Sequence, residues 1–256
     1  MDLSQKAPEP VIRFSGVHKR FGSKIIYSGL DLDVYPGEVL TIIGGSGVGK
    51  SVMLKLLLGL IRIDDGSITA FGEEVTTMAP GPLTSLRKRI AMLFQGGALF
   101  DSMTVAQNIK YPMHEHGWGD PASRIERVAE VLEMVGLPGV EHLYPAELSG
   151  GMRKRVGLAR AIAVQPDVIL YDEPTTGLDP INIRRINGLI RSLQRRLGVT
   201  SIVVTHDMDS AFTVADRFAM VRDQHIGYTG TCAETEQSEI PWVREFVVGG
   251  KGVLDD

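Results

Sequence analysis

Cysteine is all but missing from these 256 residues; Cys232 stands alone. A single thiol excludes an intramolecular disulfide and a metal cluster built on cysteines, and it is unremarkable in a reducing compartment. Long apolar runs are missing as well. The longest, such as 39–43 and 202–204, have the length of a strand, far short of the roughly 18 residues that cross a bilayer. The opening Met1-Asp2-Leu3-Ser4-Gln5-Lys6 lacks the charged-then-apolar build of a signal peptide. These two absences predict a chain that stays inside the cell. Charge is not in excess either: the net value is −4, so charge gives no reason to expect a nucleic-acid partner. Internal repeats and low-complexity tracts are absent.

What remains is the composition of an ordinary soluble globular protein, long enough for one large domain or two small ones. Basic clusters occur at Arg87-Lys88-Arg89, Arg153-Lys154-Arg155 and Arg195-Arg196. Each falls in a helix-like segment and reads as a solvated face or a local anion contact.

Residues 1–10 are polar with two prolines and read as a loose arm. Between Val11 and Ile43, β-prone stretches are broken by Gly22, Gly29 and Pro36-Gly37. A Leu- and Met-rich helix is expected over 50–61, and a buried strand over 90–94. From about 96 to 164 the pattern turns helical, with Ile125, Val128, Val131, Leu132 and Val135 on one face and Gly136 as a stop. A further buried strand covers 168–171. The helix after it carries Asp179 as cap, Pro180 at its first position and Gly198 at its end. Ile183, Ile186, Leu189, Ile190, Leu193 and Leu197 give that helix one apolar face. A strand over 200–205 and a helix with Ala211, Phe212 and Val214 follow. Alternating strands and helices predict an α/β core with a mostly parallel sheet.

Gly44-Gly45-Ser46-Gly47-Val48-Gly49-Lys50-Ser51 fits the phosphate-loop pattern G-x-x-x-x-G-K-[ST], between an expected strand and an expected helix. Its glycines allow a turn whose N–H groups converge on phosphate oxygens. Lys50 adds a charge for the β- and γ-phosphates, and Ser51 a hydroxyl for Mg²⁺. The helix that follows points its positive end at the anion. Asp172-Glu173 ends the strand over 168–171, and strand C-termini in such sheets meet at the ligand crevice. Asp172 suits the Mg²⁺ site, and Glu173 suits the orientation of an attacking water. His206, just past the strand over 200–205, lies at the same edge. These features establish an NTPase and leave a small phosphate-loop kinase open.

Leu148-Ser149-Gly150-Gly151-Met152 is more specific. It resembles the signature of ABC transporter ATPases, and the stretch 11–248 resembles one such ATPase domain. Other family motifs occur in order. Phe21 resembles the aromatic that stacks on adenine, and Gln95 the glutamine joining the Mg²⁺ site to the permease contact. Gly177-Leu178-Asp179 resembles the loop that signals across the dimer, and His206 the switch histidine. The resemblance implies a phosphate-loop NTPase (RecA-like) core, an N-terminal antiparallel β subdomain and an inserted α-helical subdomain near 96–164. It also implies ATP and Mg²⁺ as ligands, and a homodimer in which Lys50 of one copy and Ser149 of the other hold each ATP.

Leu93–Val105 (LFQGGALFDSMTV), Met152-Arg153-Lys154-Arg155 and 200–207 (TSIVVTHD) are similar to ATPases of the Mla type. So are Gly96-Gly97 and Ser51-Val52. That likeness implies phospholipid or other lipid transport between bacterial inner and outer membranes, with the ATPase peripheral on the cytoplasmic face beneath a permease. A lipid-carrying substrate-binding protein and a small regulatory subunit are further partners of such systems; nucleic acid is not. Leu99, Phe100 and Met103 suit either a permease contact or the domain's own core. The tail, 231–256, carries Trp242, Val243, Phe246 and Val247 at near-helical spacing. It suits packing on its own domain, on the second copy or on a regulatory subunit.

Overall fold

The computed structural model describes residues 9–250, and the side chains of 9–249; most of the expected arm over 1–10 and the end of the tail, 251–256, lie outside them. Strands β1 (Ile12–Phe21) and β2 (Lys24–Val34) pair antiparallel around a turn at Gly22. Gly29, expected to break a strand, sits inside β2 at φ 81, beside a register shift. It makes a bulge instead, because a glycine accepts the left-handed conformation that an extra residue in a ladder needs. After β3 (Val39–Ile43) and α1 (Lys50–Leu57), the chain returns to the first hairpin as β4 (Asp65–Ala70) and β5 (Glu73–Glu74). The result is an antiparallel sheet in the order β2-β1-β4-β5.

Helix α1 ends four residues before the expected limit at 61. Leu58 is its cap residue and Gly59 turns left-handed at φ 60. Arg87, in α2 (Pro80–Arg89), donates from Nε to the Leu58 carbonyl (2.8 Å) and from Nη2 to that of Gly59 (3.2 Å). These carbonyls at the helix end are thus satisfied by a side chain. Arg89 pairs with Asp167 at 2.6 Å. Arg87 of the first basic cluster is therefore a structural tie rather than a solvated face.

The second sheet has the order β10-β9-β3-β8-β7-β6. Its strands are β6 (Ile90–Leu93), β7 (Val168–Asp172), β8 (Thr200–Val204), β9 (Arg217–Arg222) and β10 (His225–Thr231), with β3 near the middle. All pairings are parallel except that of β10 with β9. All five residues of β3 and of β8 are buried, as expected of strands covered on both faces. Being parallel, β3, β6, β7 and β8 all deliver their C-terminal ends to one edge.

Between β6 and β7 lie α3 (Val105–Glu115), α4 (Pro121–Met134), a 3-10 turn (Pro145–Glu147) and α5 (Gly150–Ile162). Val105, Ile109, Met113, Val128, Val131 and Leu132 form their shared core. Ile125 does not join it: it is 59% exposed, one turn outside the buried stripe. Leu99 packs against this core, whereas Phe100 stays exposed with its ring 4.9 Å from that of Tyr111. Helix α6 (Pro180–Leu197) follows its punctuation, capped by Asp179 and closed by Gly198 at φ 66. Ile186, Ile190 and Leu193 of its apolar face are buried, while Leu197 is exposed.

Helix α7 (Met208–Val214) follows β8, and α8 (Cys232–Glu236) and α9 (Pro241–Gly250) follow β10. Val243 and Val247 of α9 are buried beside Ile43, Met208, Phe218 and Met220. Of the three options for the tail, its described part packs on its own domain; burial of each valine contributes about 1.5–3 kcal/mol.

Candidate active site

The edge where the parallel strands end is an open cleft of about 770 Å³. Its floor is the turn over 44–49, which links β3 to α1. Two glycines there are demanded by close packing. A Cβ on Gly44 would stand 2.8 Å from the Val221 carbonyl oxygen, and one on Gly49 only 2.5 Å from Cγ2 of Ile26. The Tyr27 hydroxyl donates to the Gly49 carbonyl at 2.7 Å, tying β2 to the loop. Burial holds that phenol well above its ordinary pKa.

Lys50 opens α1 and is buried. Its ammonium donates to the carbonyls of Gly44 (2.8 Å) and Gly45 (2.9 Å). Burial lowers its pKa, against the opposing pull of Glu173 and Asp172. Ser51 Oγ donates to Asp172 Oδ1 at 2.6 Å, joining the first turn of α1 to the end of β7.

Glu173 takes φ 50, a left-handed backbone unusual for a residue with a side chain. Its amide donates to the Val204 carbonyl at 2.9 Å. Its Oε2 accepts from Thr176 Oγ1 (3.1 Å) and faces His206 Nδ1 at 2.8 Å. The Glu173 side chain is 14% exposed and that of His206 63%, so a mostly shielded carboxylate meets a ring open to solvent. With the carboxylate ionised, this contact places the ring proton on Nδ1.

Lys154 went unrecognised in the sequence. Of the cluster Arg153-Lys154-Arg155, expected to be a solvated face or a local anion contact, Arg153 is exposed, but Lys154 is buried and points inward from α5. Its ammonium donates to the carbonyls of Thr176 (2.6 Å), Pro174 (2.9 Å) and Glu173 (3.4 Å). A buried ammonium needs acceptors, and these three belong to the turn that bears Glu173. Burial lowers the Lys154 pKa and Glu173 pulls it up. Arg155 likewise donates to the carbonyls of Val135 (3.2 Å) and Gly136 (2.9 Å).

The cleft gathers Phe21, Gly44, Gly45, Ser46, Gly47, Gly49, Lys50, Ser51, Gln95, Glu173 and His206. Phe21 is 46% exposed at the end of β1, with Lys19 Nζ 5.1 Å from its ring centre. Val48 lines an adjoining hollow with Met208 and Trp242. Asp172 reaches the cleft through Ser51. Phe246 of α9 also lines the cleft; its apolar spacing signalled a helix face and nothing more.

Ser149, Gly150, Gly151 and Asp179 are not among the lining residues. Ser149 Oγ accepts from the Met152 amide at 3.2 Å, as an ordinary helix cap. The Asp179 carboxylate accepts from the Asn182 amide (3.0 Å), the Asn182 side-chain Nδ2 and the Ile181 amide (2.9 Å), which hold its carboxyl below the usual range.

A family model described as ABC transporter matches residues 27–176, from β2 through the turn after β7. The chain belongs to the ABC transporter family. It is an ATPase of that family, an ATP-binding subunit of an ABC transporter. This ABC ATPase is 41% identical over 228 residues to the intermembrane phospholipid transport system ATP-binding protein MlaF of Escherichia coli (strain K12), covering 89% of this chain and 85% of that one. It is 40% identical over 238 residues to the probable ribonucleotide transport ATP-binding protein mkl of Mycobacterium leprae (strain TN), covering 93% and 69% respectively. Among solved structures, the dimeric post-hydrolysis ATP-binding cassette MJ0796 bound to ADP and Pi superposes with TM-score 0.79 at 29% identity. That match covers 86% of this ABC ATPase and 98% of the other chain.

Proposed function

We propose that this ATPase, as a homodimer on the cytoplasmic face of the inner membrane, drives a separate permease that moves phospholipid or another lipid between bacterial membranes. The observation that carries the reading is the division of its motifs. One set converges on the cleft, while Ser149, Gly150 and Gly151 lie elsewhere on the same chain. A second copy, turned to bring its Ser149 helix start over the first copy's loop, completes the site.

In that assembly the 44–51 loop binds the phosphates of ATP, Lys50 turns from its two loop carbonyls to the β- and γ-phosphates, and Phe21 stacks on adenine. Ser51, Asp172 and Gln95 supply the hard oxygens that Mg²⁺ prefers, the first two already 2.6 Å apart. Mg²⁺ there would neutralise charge on the phosphate oxygens. Glu173 orients a water and takes its proton as the water oxygen bonds to the γ-phosphorus and the bond to ADP breaks. His206 steadies Glu173 and reaches the γ-phosphate, and Asp179 signals to the partner copy. The helices within 96–164 carry the motion to the permease, and Gln95 joins them to the cleft.

Cargo rests on likeness to MlaF, which the likeness to mkl contests. Reconstitution with its permease separates the two. Phospholipid in the vesicles should raise ATP turnover, whereas added ribonucleotides should not. Stimulation by ribonucleotides alone would overturn the lipid reading.

A further inference from the structure

Helix α6 buries a stripe of Ile186, Ile190 and Leu193, and one polar residue in it, Asn187, is only 4% exposed. Its Nδ2 donates to Ser210 Oγ at 2.9 Å, while its Oδ1 meets no donor. A leucine there would remove a buried amide whose hydrogen bonds are only partly met, which favours folding. Stability alone therefore does not account for an asparagine at this point. Where a residue breaks a local rule, a functional constraint is the usual reason.

The hydrogen bonds lead from Asn187 to the cleft. Ser210 Oγ donates to Asp207 Oδ2 at 2.6 Å, and the Ser210 amide to Asp207 Oδ1 at 3.3 Å. The Asp207 amide donates to Thr205 Oγ1 at 3.0 Å, closing a turn whose middle residue is His206. The ring of His206 is largely solvent-exposed and is positioned by that turn and by its 2.8 Å contact with Glu173. At its other end α6 begins at Asp179, and its Asn182 is so close to Gly151 that a Cβ there would stand 2.7 Å away. One rigid helix thus touches the Ser149 helix start in its first turn and, about 7.5 Å further along, Ser210 of α7, which holds the His206 turn.

We propose that Asn187 is a positioning residue for ATP hydrolysis: through Ser210 and Asp207 it fixes the turn carrying His206 and couples it to the segments at Gly151 and Asp179. Asn187 touches neither water nor phosphate; it sets where the imidazole sits against Glu173. The inference rests on the assignment of Glu173 and His206 to hydrolysis.

The test uses the full chain carrying Asn187→Leu, Ser210→Ala and both changes together. ATP affinity and KM should match wild type in all three, while kcat falls about tenfold in each single variant. The double variant should fall little further, because both changes cut one chain of bonds. Histidine ¹⁵N spectra, with the His206 signal assigned through His206→Gln, should show loss of the Nδ1-protonated form in the variants. Unchanged kcat and an unchanged His206 spectrum in folded Asn187→Leu would overturn the proposal. So would a fall in kcat with the tautomer intact, or fully multiplicative losses in the double variant. Failure of the parent assignment is read separately: Glu173→Gln would then hydrolyse ATP at a near-normal rate.

Discussion

The strand-end cleft and the start of α5 each place a helix N-terminus beside glycines, yet they differ in how finished they are. At the cleft, Ser51 already holds Asp172 and Glu173 already meets His206. At the start of α5, Ser149 spends its hydroxyl on its own helix, and the nearby Arg153 guanidinium donates to the Leu148 carbonyl at 2.9 Å. The first region is preorganised within one chain; the second displays Ser149 and Gly150 to whatever docks there, while Gly151 is buried against α6. Chemistry kept in one copy and its licence kept in another would make turnover depend on assembly.

Lys50→Ala tests the finished half most severely: nucleotide affinity should fall by at least about a hundredfold, read by fluorescent-ATP titration. Retained affinity would move the cradle elsewhere. Glu173→Gln should cut kcat by about 10²–10⁴-fold while ATP still binds and closes the dimer, as seen by sizing chromatography with ATP. Ser149→Arg should leave monomer ATP binding intact and abolish turnover. Mixed with Lys50→Ala subunits, it should regain no more than one complete site per dimer. Normal turnover by the Ser149→Arg homodimer would erase the contrast between the two regions.

The smallest effect concerns pH. Hydrogen bonds at the start of α6 depress the Asp179 carboxyl, so the folded state favours its ionised form. That contribution is present above the unfolded value near 3.9 and is lost as pH falls through the lower folded value. Thermal melts between pH 5 and 3 should show Asp179→Asn, which still caps, losing less stability with acid than wild type.

Punctuation was the part of the fold most legible in the sequence. Asp179, Pro180 and Gly198 bound α6 because caps and left-handed ends are local chemistry. The motifs that meet at the cleft were legible for the same reason, each lying within a few residues of a strand end, whereas Ser149 and Asp179 open helices. Strand β4 escaped because it pairs with β1, about fifty residues earlier, across two intervening strands and a helix. Nothing near Asp65–Ala70 signals that partner. Lys154 escaped because charge in a helix says outward until three carbonyls from another element are brought beneath it. Ile125 misled in the opposite sense: it has the right period but sits one turn beyond where the neighbouring helices reach. The contact between Glu173 and His206, thirty-three positions apart, exists only because β7 and β8 are adjacent and parallel.

The backbone of Glu173 carries a consequence for anyone selecting improved variants. A side chain held at φ 50 costs on the order of 1 kcal/mol that glycine would not incur. Given the role proposed for Glu173, heat-tolerance screens blind to turnover would thus reward Glu173→Gly, enriching sturdier proteins that no longer consume fuel. Laboratory evolution of this chain needs a readout of work done, since its most robust descendants are apt to be its idle ones.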